Sequence, residues 1–117
     1  MGMQERRNSS RYMCADLVRV NWMVGDQRFQ TAEAVLEDIS ATGGCVQMEQ
    51  PIPTGSVIVL SIGGERFNGR VRYCVSREFG FFVGVKFAAD TEWSVHTAVP
   101  AHLTNLDAVT GQASLGR

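Results

Sequence analysis

Turn chemistry recurs so often along residues 18–87 that no long element fits between one turn and the next. Gly25-Asp26, Gly43-Gly44, Pro51-Ile52-Pro53-Thr54-Gly55, Gly63-Gly64 and Gly80 divide the chain into apolar or alternating stretches of strand length. Val18, Val20 and Trp22 alternate with Arg19 and Asn21, which gives a first strand. Arg28 to Glu37 reads as a second, Cys45 to Met48 as a short third and Ser56 to Ile62 as a fourth. The fifth places Phe67, Val71, Tyr73 and Val75 on one face and Asn68, Arg70, Arg72 and Ser76 on the other. In the sixth, Phe81, Val83, Val85 and Phe87 point inward, while Gly84 interrupts the other face, a mark of a bend or a close backbone approach. A hairpin centred on Gly63-Gly64 sets Leu60 opposite Phe67. Six short antiparallel strands with turns about every ten residues predict an all-β fold closed into a small barrel, since closure removes exposed edges.

The spacing predicts a basic, flexible arm over residues 1–12 and the barrel over 13–88. A short helix is expected within 89–106, with Asp90 or Thr91 as N-cap and Trp93 packed on the barrel. Pro100 argues against an unbroken continuation through Leu103 and Leu106, and 107–117 reads as a mobile tail. At 117 residues the chain has length for one domain and one modest core. No apolar run approaches the roughly 20 residues that cross a bilayer. Met1 to Asn8 lacks the apolar centre of a signal peptide. Cys14, Cys45 and Cys74 are odd in number, far apart and without a CxxC, which points to reduced thiols in a cytoplasmic setting.

Two polar stretches carry the chemistry. Asp38-Ile39-Ser40-Ala41-Thr42-Gly43-Gly44 offers a carboxylate, two hydroxyls and glycine backbone free of side chains. Such a loop can accept hydrogen bonds from a base edge at Asp38 and donate to phosphate oxygens from Ser40 and nearby N–H groups. Arg7-Asn8-Ser9-Ser10-Arg11, directly before a strand, reads as an extended arm whose guanidinium forks suit phosphate or guanine O6 and N7. With Gly25-Asp26 as the centre of a two-residue hairpin, Arg11 falls opposite Ser40, so both stretches reach one edge of the sheet. The net charge of −1 excludes the whole molecule as an electrostatic nucleic-acid binder, whereas a local arginine patch suits a small anion.

Together, Arg7-x-x-x-Arg11 and Asp38-x-Ser40-x-x-Gly43 resemble the RxxxR and D/NxSxxG motifs of PilZ domains. The resemblance covers about residues 5–88, including the Pro51–Gly55 loop and Val83-Gly84-Val85-Lys86-Phe87, which looks like the family's closing strand. It implies a six-stranded antiparallel barrel that receives the bacterial second messenger cyclic di-GMP, without a cofactor and without catalysis. Carried onto this chain, it assigns Arg7 and Arg11 to the phosphates and a guanine edge, and Asp38 to a guanine N1/N2 edge. Ser40 and Gly43 would contact the ligand through hydroxyl and backbone, with Gly44 beside them. Arg6 is compatible with gripping a stacked second nucleotide. The resemblance further implies a stand-alone receptor whose arginine arm closes over the barrel, acting on a downstream protein in motility, biofilm or exopolysaccharide regulation.

Other readings draw less support from the residues. A barrel that binds a protein without depending on nucleotide would keep the loop for folding alone. An OB-like single-strand binder meets the net charge, an acidic stretch with Asp90, Glu92 and Asp107, and no aromatic stripe on outward strand positions. His96 and His102 have the wrong spacing for a shared metal face, and no nucleophile with an acid or base partner can be named. Neither nucleic acid nor membrane insertion is expected.

Overall fold

The computed structural model describes residues 11–26 and 28–94, together with the backbone of 104–105. Six strands form in chain order: β1 Tyr12–Val24, β2 Arg28–Ser40, β3 Gly43–Met48, β4 Val57–Ile62, β5 Glu65–Arg77 and β6 Gly80–Phe87. A two-residue strand, β7 Thr104–Asn105, follows. Antiparallel pairing runs β2-β3-β6-β5-β4-β1, and β1 pairs back onto β2 to close the barrel. β7 lies along the start of β1.

Alternation drives the packing. Val18, Val20 and Trp22 of β1, Ile58, Leu60 and Ile62 of β4, and Val83, Val85 and Phe87 of β6 are all buried in one core. Each such side chain contributes about 1.5–3 kcal/mol on burial. Gly63 and Gly64 carry φ of 58° and 87°, the left-handed pair that a two-residue hairpin turn uses and glycine adopts without strain, and Leu60 pairs with Phe67 as expected. Trp22 belongs to the core, while Arg70 and Arg72 face outward.

A longer turn and three bulges alter the register. Val24 pairs with Arg28, so three residues separate β1 from β2 where a two-residue turn was expected. That moves the central register by one, and a bulge at Cys14-Ala15 moves it back: Tyr12 meets Ile39 and Met13 meets Asp38. The start of β1 therefore reaches the end of β2 where the sequence placed it, by two offsetting irregularities. Glu37 is the extra residue where β2 pairs with β3. Arg72 is the extra residue where β5 pairs with β6.

The third bulge corrects the expected face of β5. Val71 is buried, but Arg72 and Tyr73 are both exposed, and Cys74 turns toward the core instead. Tyr73 is outward, 47% exposed, because one unpaired residue inverts the alternation beyond it.

The helix expected within 89–106 is absent from the described part of that segment. Ala89-Asp90 form a turn, 91–94 are irregular, and Thr104–Asn105 pair as strand. Asp90 and Thr91 serve a turn rather than a cap: the Thr91 N–H donates to the Ala88 carbonyl at 2.9 Å, closing the chain back on itself. Trp93 does pack on the barrel, 2% exposed, with its ring edge-on to Tyr12 at 5.4 Å. Residues 95–103 and 106, including His96, Pro100, His102, Leu103 and Leu106, lie outside the described residues.

Candidate functional site

An open cavity of 390 Å³ lies on the outer face, where the β2–β3 turn meets β5 and β6. Arg11, Asp38, Ser40, Gly43 and Gly44 all line it. Arg6 and Arg7 fall outside the described residues. A 580 Å³ depression between Leu17, Val35, Gln47 and Phe79 is larger, but it holds no cation. A cation paired with a carboxylate over glycine backbone, not volume, singles out the smaller cavity.

At its mouth an Arg11 Nη2 donates to an Asp38 Oδ2 at 2.9 Å, forming an ion pair. The carboxylate raises the Arg11 guanidinium above its ordinary value, through the hydrogen bond first and charge second. The arginine side chain is 60% exposed and the aspartate 20%. Exposed bridges of this kind contribute about 0–1 kcal/mol, so this one opens at little cost.

The loop beneath is braced from within. Ser40 is buried, its hydroxyl accepting from the Thr42 N–H and donating to the Gly43 carbonyl, each at 3.4 Å. The Phe87 N–H donates to the Thr42 carbonyl at 2.8 Å and the Trp93 N–H to the Ala41 carbonyl at 3.3 Å. The two turn carbonyls are thus held by the last residue of β6 and by the chain that follows it.

The two glycines are there for space. Neither carries a positive φ. A Cβ at Gly43 would lie 2.2 Å from the Val85 carbonyl oxygen, and one at Gly44 2.8 Å from that of Asp38. Their bare backbones approach neighbouring main chain more closely than any side chain permits.

Four further side chains escaped the sequence reading: Cys45, Arg72, Tyr73 and Lys86 line the cavity as well, with Thr42 at the turn. Tyr73 pairs with Gly84, and its ring fills the space a side chain there would take, 2.1 Å from the ideal Cβ position. Counting back from the Arg77–Gly80 pair would have found this partner, and Gly84 was the signal. Burial pushes the Cys45 thiol up, with the hydrogen-bonded Tyr73 hydroxyl offsetting part of that. Burial also raises the Cys14 thiol, to about 12. A protonated thiol is a poor nucleophile. In native protein treated with iodoacetamide at neutral pH, Cys14 and Cys45 should remain unmodified by mass spectrometry; rapid labelling of either would show an accessible thiolate.

No group of three or more His, Cys, Asp or Glu among the described residues could hold a metal ion. Among the same residues no helix is long and apolar enough to cross a membrane. No curated protein and no solved structure matches the chain. The family model of the PilZ domain matches residues 5–97, a span containing both motif segments and every strand of the closed barrel. The chain belongs to the PilZ domain family.

Proposed function

We propose that this protein is a cyclic di-GMP receptor, a binding module rather than an enzyme, which reports nucleotide occupancy to a protein partner. The observation that carries the reading is the Arg11–Asp38 pair, 2.9 Å apart at the mouth of a cavity floored by glycine backbone. A guanine presents N1–H and N2–H donors that suit a carboxylate, and its phosphates suit a guanidinium fork. Binding exchanges the exposed bridge for those contacts. The half-exposed Tyr73 ring offers a face for a purine.

Asp38 accepts from the guanine edge, Arg11 takes phosphate or guanine O6 and N7, and Ser40, Gly43 and Gly44 supply hydroxyl and backbone. Arg7, and Arg6 beside it, reach the ligand from the arm, which folds over the cavity as it binds. Ordering that arm lowers affinity and converts binding into a changed surface for a downstream effector. The family's general role as cyclic di-GMP receptor supports this assignment.

Calorimetry on the full chain should give saturable cyclic di-GMP binding. Arg11→Ala and Asp38→Ala should each weaken it about tenfold or more, a loss of about 1.4 kcal/mol per decade. Their thermal transitions should barely move, because the bridge lies at the surface with its arginine exposed. Absence of saturable heat at high micromolar nucleotide would sink the proposal. A nucleotide-independent interaction module is the competing reading, favoured by Leu17 at 69% exposure and Phe79 at 80% beside one depression. Partner binding that ignores cyclic di-GMP would support it.

A further inference from the structure

Arg72 and Lys86 stand apart from the motif residues. Both line the 390 Å³ cavity, and both also line an adjoining one of 480 Å³, so they form the ridge between the two. Neither has an ion-pair or hydrogen-bond partner among the described residues. Elsewhere on the barrel a cation can face an acid in register, as Arg19 faces Glu33. Lys86 instead faces Arg70 across β5 and β6. Like charges placed opposite one another cost stability unless something anionic comes between or beside them. Arg70 turns away, donating to the Gly55 carbonyl at 2.9 Å, which leaves Arg72 and Lys86 as the unengaged pair.

Backbone geometry aims them. Arg72 is the extra residue of the β5 bulge, and it projects outward together with its neighbour Tyr73, which regular pleating forbids. Lys86 lies opposite Gly43 on its other side, so no side chain from β3 covers it. An anion over this ridge meets a guanidinium fork, an ammonium and bare backbone at once.

We infer that Arg72 and Lys86 form an anion clamp on the barrel wall, which binds a phosphate group of the nucleotide independently of the chain before Arg11. The inference rests on the cavity being the nucleotide site proposed above, and deepens it. The ligand is then held from two sides, by Arg11 with the arm and by cations fixed on strands. The wall pair adds to affinity at low salt and loses weight as salt screens it.

The test compares wild type, the Arg72→Gln/Lys86→Gln double variant and an Arg28→Gln control by calorimetry with cyclic di-GMP at two salt concentrations. The clamp predicts binding at least tenfold weaker in the double variant, a shallower salt dependence, a melting temperature no lower than wild type and a control like wild type. Restoring charge with Arg72→Lys/Lys86→Arg should recover much of the affinity. Wild-type affinity and salt dependence in the double variant would overturn the inference while leaving the receptor reading intact. Should wild type not bind cyclic di-GMP, inorganic pyrophosphate decides. Its binding by wild type and loss in the double variant would keep the clamp and discard the receptor. Pyrophosphate binding by neither protein would discard both.

Discussion

Gly43→Ala should destabilise the protein by about 3 kcal/mol or more, the upper end of what overpacking costs. The obstruction is main chain: the Val85 carbonyl oxygen 2.2 Å from the new methyl, and Lys86 Cα at 3.3 Å. β6 is paired on both sides, with β3 and β5, so it cannot step back without breaking a ladder. For a domain of this size the melting temperature should fall by roughly 12 °C or more. Denaturant titration with calorimetric melting would measure it, and an unchanged midpoint would show that β3 and β6 can part. The result changes how the motif glycine is read. Loss of nucleotide binding in Gly43→Ala would report a displaced wall, not a deleted ligand contact.

Trp93→Ala should cost about 3–5 kcal/mol, the range for emptying a large buried aromatic site. The side chain is 2% exposed, packs edge-on against Tyr12 and belongs to the same core as the strands. Its position also ties the two motif segments together. Tyr12 follows Arg11 directly, and the Trp93 N–H holds the Ala41 carbonyl inside the second motif. The variant should therefore lose near-ultraviolet circular dichroism and bind nucleotide more weakly even where still folded. Trp93→Phe, which keeps an aromatic ring, should retain most of the stability. Equal stability of Trp93→Ala and wild type in urea would mean the indole is a lid rather than part of the core.

These two residues also mark where sequence reasoning succeeds and stops. Alternation found the core strands because period-two burial is written directly into β1, β4 and β6, and Gly63-Gly64 fixed one register outright. Arg11, Asp38, Ser40, Gly43 and Gly44 were named from residue chemistry and meet at one cavity. Bulges were invisible, since an extra residue is extra only relative to a partner strand. That is why Tyr73 was assigned to the wrong face. Asp90-Thr91 carried the same polar signal for a turn as for a cap, and the Thr91 N–H closes the turn on the Ala88 carbonyl. Gly43 and Gly44 were legible as glycines, but not whether they served conformation, ligand or room for a neighbouring strand.

The bulges at Cys14-Ala15, Glu37 and Arg72 lie near Arg11, Asp38 and Tyr73, which they bring to the cavity. The site is thus aimed by residues that the ladders count as surplus, although Arg72 alone among those surplus residues lines the cavity. Change in such a site proceeds by length as readily as by identity. Deleting Arg72 would leave Val71 facing Val85 and Tyr73 facing Gly84, the pairs they already keep, and remove only the cation between them.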